Sequence, residues 1–447
     1  MTDIRERPPP ATASAAPKMV VTQPGRVVGM DGIRGLAALF VVLNHIFERA
    51  WPGYPANPAP FWAAWLTYGR GAVAMFIALS GFSLGLGPAR SGWRFKSIKT
   101  YAHRRAWRIL PPYWAALGFS LVMTWYVLAQ PGWPGPNGKS VAVYGLLVQD
   151  AFSQGHHAGF WAAGSPNRAF WSIAIEAQLY LLLPALLLLV RRVSARAMVG
   201  LVAAIVVTIG VLGPHVPLMN SALVKFTPDL AVLFAVGLLA SGIVTAGERT
   251  RSRPWAGYAL AATVPAIVLM VVKGSTWSSL NLFWLDLAWA PAIGCFLAAV
   301  ATSHPRTVVR FLDSRLPRSL GSCSYSLYLT HMPIVNRCGV RPGTGPGRYR
   351  DADILRACCD PAAGDRVLRP SVRRCVRAPL PAAPRVDPAA AGDIGPAAGA
   401  ATSGAGPPSP GTGGALAGRA AHEIKLVGDI DQLTRSQLPT AHGQPVR

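Results

Sequence analysis

The sequence predicts an all-α polytopic membrane protein, and three observations predict it. Apolar residues gather in blocks of about 20, the length that crosses a bilayer as a helix. The chain is 51% hydrophobic and only 14% charged, where soluble domains carry roughly 25% charge. Basic residues collect in every second loop between the apolar blocks, as the positive-inside rule requires.

Taken in order, residues 1–28 are rich in Pro and Ala, with Arg5, Arg7, Lys18 and Arg26. They lack the apolar core and cleavage site of a signal peptide and read as a disordered cytoplasmic arm. About nine transmembrane helices follow, near 30–50, 61–88, 109–130, 171–190, 197–216, 226–246, 255–273, 281–302 and 320–336. The basic loops hold Arg90 to Arg105 after the second span, Arg191 to Arg196 after the fourth, Arg249 to Arg253 after the sixth and Arg306 to Arg318 after the eighth. These loops and the N-terminus are expected on the cytoplasmic side of the plasma membrane. The long loop 131–170, rich in Gly, Pro and aromatics, is then external and a candidate binding lid.

The net charge of +24 sits in those loops and in the C-terminal tail, so it indicates membrane topology and gives no reason to expect nucleic acid. The six Cys show no CxxC pair and no ligand-like Cys/His spacing, so neither a disulfide framework nor a metal site is expected.

The membrane domain is expected to run over 29–336. From Arg337 onward the chain has no Trp and no Phe, although it contains 14 and 15 of them in all. One reading of 337–447 is a disordered low-complexity tail. The preferred reading is a lost coding frame, because nine spans leave the last helix with nothing returning. Back-translation of Cys375 to Ala383, shifted by one nucleotide, permits Ala-Phe-Glu-Arg-Pro-Phe-Leu-Arg-Arg. The same shift over Asp353 to Arg374 permits a mostly apolar run, which would supply a tenth span.

Polar residues inside membrane spans are costly and point to function. Arg34 and His45 lie on one face of the first span, about 16 Å apart along a helix, with Asp31 and Glu48 extending the stripe. A neutral imidazole suits general-base work on a hydroxyl, and a nearby cation keeps it neutral. The alternative is a structural histidine bonded between helices. Arg105 and Arg108, one turn apart at the mouth of the third span, are either topological anchors or a clamp for phosphate or pyrophosphate. Glu176 shares a face with Ser172 and Tyr180 and needs a buried Arg or His as partner, whether functional or structural. Ser324, Tyr328 and His331 form another stripe, which lines an acceptor pocket or knits helices together. Gly71 to Phe82 reads mostly as close helix packing. Asp229 and Asp286 also lie in spans and receive no assignment.

In this order the segments resemble the acyltransferase 3 family of integral membrane acyltransferases. The matching pieces are Asp31-Gly32-Ile33-Arg34-Gly35 with His45, Leu79-Ser80-Gly81-Phe82, and Arg105-x-x-Arg108-Ile109-x-Pro111-x-Tyr113. They continue with Trp171-Ser172 through Glu176 to Tyr180 and Pro184, and with Ser324-Tyr325-Ser326-Leu327-Tyr328-Leu329-x-His331. The shifted-frame Phe-Glu-Arg-Pro-Phe also looks like the end of the family's last span. The resemblance implies transfer of an acyl group, usually acetyl, from acyl-CoA to a hydroxyl of a sugar, polysaccharide or glycosylated natural product. It implies His45 as catalytic base, Arg34 as the residue positioning it, Arg105 and Arg108 on the phosphates of CoA, and Glu176 supporting the Arg/His network. No cofactor is expected to be bound, and acyl-CoA is the donor substrate. The reading from another class is a transporter or flippase with an intramembrane Arg/His/Glu relay; no internal inverted repeat was found to favour it. A membrane anchor for an acyl-transfer partner is the third reading.

Overall fold

The computed structural model describes residues 27–127, 135–152 and 165–338. The chain divides at Leu380/Pro381, and every described residue belongs to the first unit. The expected disordered arm, apart from its last two residues, and the expected tail from residue 339 lie outside the described residues, as does the frame-loss reading.

Every regular element among the described residues is helical. Nine long helices follow in chain order: α1 (Met30–Ala50), α2 (Arg70–Arg90), α3 (Ile98–Val122), α4 (Trp171–Val193), α5 (Ala195–Leu212), α6 (Asp229–Thr245), α7 (Trp255–Leu280), α8 (Leu282–Ala301) and α9 (Arg315–Cys338). Among the described residues six helices are long and apolar enough to cross a membrane, and a seventh if Pro217–Phe226 and α6, bent by 60°, count as one span. The chain is a multi-pass membrane protein. Helices α3 and α9 occupy expected spans but fall outside that set. α3 carries Lys99, Arg104, Arg105 and Arg108, and α9 carries a ladder of serines with His331.

Several boundaries differ from expectation for local reasons. The second span is interrupted: a short helix Phe61–Ala64 runs into the 3-10 turn Trp65–Tyr68 before α2 begins. α3 starts well before residue 109 because Ser97 caps it, its side chain accepting the Thr100 N–H at 3.2 Å. α7 runs on to Leu280 through a kink at Gly274, where φ is +77°. The supposed lid contains two short helices, Gly138–Gly145 and Gln149–Phe152. These are fastened to the bundle: Tyr113 Oη donates to the Tyr144 carbonyl at 2.7 Å, and Gln149 Nε2 to the Phe170 carbonyl at 3.0 Å.

Two helix pairs form the framework. α2 packs on α6 with backbones touching, so that a Cβ at Gly81 would collide with the Phe234 carbonyl, and one at Gly237 with the Ala78 carbonyl. α1 packs on α9 in the same way, through Gly35 against Pro317 and Gly321 against Asp31. Small residues let helices approach this closely inside a membrane, where dispersion rather than the hydrophobic effect holds them together. The sequence reading of 71–82 as close packing is met at Gly81, while Ser80 and Ser83 face elsewhere.

A buried ion cluster joins three further elements. Arg70 opens α2; its Nε lies 2.6 Å from Asp286 Oδ2 on α8, and its Nη2 2.7 Å from Asp229 Oδ2 on α6. Its guanidinium also stands 5.4 Å over the Trp171 ring at the start of α4. This is what the two unassigned aspartates do: they are the counter-charges of one buried arginine.

Candidate active site

Two cavities meet inside the bundle. The first, about 140 Å3, is lined by Arg34 of α1, Ser80 and Ser83 of α2, Arg105 and Arg108 of α3, Glu176 and Tyr180 of α4, and Ser324 of α9. The second, about 330 Å3, is lined by Asn44, His45 and Glu48 of α1, Trp51 and Tyr54 beyond it, Arg70, Arg168 and Trp171. Tyr328 and Val73 belong to both linings. Two other recesses, of about 610 and 750 Å3, are walled mostly by apolar side chains, and the smaller of them also borders Arg70 and Asp286.

The first cavity is an electrostatic box. Arg34 bonds Asp31 one turn back at 3.1 Å and donates to Ser83 Oγ at 2.5 Å. Glu176 Oε1 accepts from Ser80 Oγ and from Tyr180 Oη, both at 2.5 Å. Arg105 Nε is buried with no hydrogen-bond partner, and Arg108 stands exposed at the rim. Three guanidiniums face one carboxylate, so the cavity carries net positive charge and suits an anionic ligand. Glu176 is thus held by a serine and a tyrosine, and not by the arginine or histidine expected of it.

The second cavity centres on His45. Its Nδ1 lies 3.2 Å from Glu48 Oε2, and Glu48 also pairs with Arg168 at 3.4 Å. A carboxylate accepts only, so Nδ1 carries a proton, and in the neutral ring Nε2 then keeps its lone pair. The His45 ring stacks on His331 with centroids 5.2 Å apart. His331 Nδ1 bonds the Tyr328 carbonyl at 2.7 Å, and its Nε2 is buried without a partner.

Tyr328 forms the partition. It is 6% exposed, shares a 2.6 Å hydrogen bond with Ser172 Oγ and donates to the Ala169 carbonyl at 3.0 Å. Asn167 braces the same region, reaching Ser120 Oγ at 3.1 Å and the Leu329 carbonyl at 3.2 Å.

Several expectations are therefore corrected. Arg34 and His45 share a helix face but not a cavity, so Arg34 does not position His45. The residue touching the imidazole is Glu48, which the polar stripe included without a role. Ser324 lines the arginine cavity, with its hydroxyl bonded to the Gly321 carbonyl at 2.8 Å. His331 lies behind His45, outside both linings. Of these two, Ser324 shares a cavity lining with Tyr328. Arg168 and Arg70 were missed: Arg168, which opens the 3-10 turn Arg168–Phe170, falls in the expected external loop 131–170, and Arg70 falls inside the expected second span 61–88 and was passed over.

In the short helix Gln149–Phe152, Asp150 is fully buried, and burial raises its carboxyl pKa to about 8. Among the described residues no group of three or more His, Cys, Asp or Glu could hold a metal ion.

A family model described as an acyltransferase domain matches residues 27–337. The chain belongs to the acyltransferase 3 family. It is an acyltransferase enzyme, and the match covers all nine long helices but for the last residue of α9. No curated protein and no solved structure matches. In this acyltransferase the motif residues of the resemblance divide between the two cavities, with Arg34, Arg105, Arg108 and Glu176 on one side of Tyr328 and His45 on the other.

Proposed function

We propose that the acyltransferase moves an acyl group, acetyl in the simplest case, from acyl-CoA to a hydroxyl of a sugar, polysaccharide or glycosylated natural product. The observation that carries this reading is the His45–Glu48 pair in a cavity that shares Tyr328 and Val73 with a three-arginine cavity. Arg105 and Arg108 would take the phosphates of CoA, and the pantetheine arm would run past Arg34 toward Tyr328. The alternation of basic loops supports a cytoplasmic N-terminus and donor mouth at the plasma membrane. The acceptor would enter the second cavity, where Trp51, Tyr54 and Trp171 offer faces for a sugar ring, and Asn44 and Arg168 offer hydrogen bonds.

The chemistry follows from the tautomer. His45 Nε2 takes the proton of the acceptor hydroxyl as its oxygen attacks the thioester carbonyl. The resulting imidazolium is balanced by Glu48, itself held by Arg168. When the tetrahedral intermediate collapses, the C–S bond breaks and the same proton passes to the departing CoA sulfur. No net proton is gained or lost.

The test is labelled acyl-CoA incubated with membranes and a panel of glycosylated acceptors. His45→Ala is expected to abolish turnover while the protein still inserts. Arg108→Ala is expected mainly to raise the apparent KM for acyl-CoA, and an unchanged KM would remove the phosphate clamp. Full activity of His45→Ala would make the chain an anchor for a partner's chemistry. Acceptor movement across vesicles without acyl transfer would make it a transporter.

A further inference from the structure

We propose a binding site for one anionic phospholipid on the basic face of the membrane domain, distinct from the two-cavity site. It consists of two recesses that share a wall. The first, about 510 Å3, is ringed by Arg94, Arg191 and Arg192 together with Trp93. Arg94 follows α2, and the other two arginines close α4. All three are exposed, and none forms an ion pair among the described residues. Three guanidiniums without a carboxylate among them favour a bound anion, and their planar forks fit phosphate oxygens.

The second recess is a groove of about 750 Å3 between α5, α6 and α8, walled by side chains such as Val199, Ala203, Val236 and Leu239. Trp93 lines this groove as well, so headgroup recess and groove adjoin across this one residue. The indole is a built part of the wall. The Trp93 backbone amide donates to the Pro88 carbonyl at 2.7 Å, and the residue sits in the left-handed region with φ +61°. Its ring lies over Gly242 of α6, where a Cβ would come within 2.9 Å of it.

Helices α5 and α8 are long and apolar enough to cross the membrane, and only 11% of the α5 span is buried. The open side of the groove therefore faces hydrocarbon, and the arginine recess lies where that groove ends. The positive-inside rule accounts for basic loops in general. It does not account for an apolar groove opening at the foot of three unpaired arginines. A soluble phosphate would use the recess alone; a phospholipid fills both, with its phosphate on the arginines and an acyl chain in the groove.

The experiment is native mass spectrometry of the detergent-purified full chain, titrated with phosphatidylglycerol or with phosphatidylcholine of the same acyl chains. The first phosphatidylglycerol is expected to bind roughly tenfold tighter than phosphatidylcholine, and each arginine removed in Arg191→Gln and Arg192→Gln to weaken it about fivefold. Ala203→Trp narrows the groove without touching the arginines and is expected to lower occupancy too. Thermal unfolding of each variant confirms that it is folded. Equal affinity for the two lipids, or unchanged binding in the double glutamine variant, overturns the proposal. So does displacement of phosphatidylglycerol by free CoA, or insensitivity to Ala203→Trp, because either result assigns the recess to a soluble phosphate.

Discussion

At the scale of residues, the most exacting arrangement is the Arg70 cluster. One buried cation serves two carboxylates from two other helices, and removing one partner of a buried ion pair costs about 3–5 kcal/mol because a charge is left unpaired. Arg70→Met leaves two carboxylates facing each other in the membrane interior. It is expected to lower the unfolding temperature in detergent far more than Asp229→Asn, which still leaves an arginine–aspartate pair. Equal effects of the two substitutions would show that the cluster contributes packing rather than charge balance. The same scale shows what the sequence could reveal. His45, Arg34 and Glu176 stand out because a polar residue inside an apolar run announces itself. Glu48 and Arg168 sit at helix ends and in loops, where charge is ordinary, and only the fold brings them to the imidazole.

At the scale of elements, the long helices were legible because each apolar block meets the length requirement of a bilayer. Their partners were not, since hydropathy carries no information about which helix touches which. The contact between α2 and α6 depends on Gly237, where any side chain meets the Ala78 carbonyl. Gly237→Ala is expected to destabilise the protein by about 1–3 kcal/mol as an overpacked site, read as a fall in unfolding temperature. Gly71→Ala, with open space at its Cβ, is the control and is expected to change little. The fastened outer segment supplies a pH signature. Asp150 keeps its proton in the folded state up to about pH 8, whereas in the unfolded chain it loses it near pH 4. The unfolded state therefore binds fewer protons between these values, so stability falls as pH rises from about 4 to 8 and levels off above. Asp150→Asn is expected to flatten that part of the profile. A slope that survives the substitution would place its origin in another group.

At the scale of the whole molecule, the membrane class and the family were legible in the sequence. The family match ends at residue 337, and the chain from Arg337 onward contains no Trp and no Phe. Resequencing the coding DNA from the codon for Leu329 is expected to return a single-nucleotide insertion or deletion that restores an apolar span ending in Phe-Glu-Arg-Pro-Phe. DNA that agrees with the chain as written would make the tail genuine and end that reading. The two-cavity layout was not legible at all, because it depends on Tyr328 standing between groups that the sequence assigned to one network.

The glycine contacts have a mechanical consequence. Within each of the pairs α1–α9 and α2–α6, backbone meets backbone, so neither pair can slide internally without collision. Each behaves as a stiff board: Arg34, His45 and Tyr328 are carried on one, Val73 and Ser80 on the other. The spacing of these groups within a board is thereby set by backbone contact, so a rearrangement of the site has to come from one board moving against the other or from the helices that carry Arg105, Arg108 and Glu176.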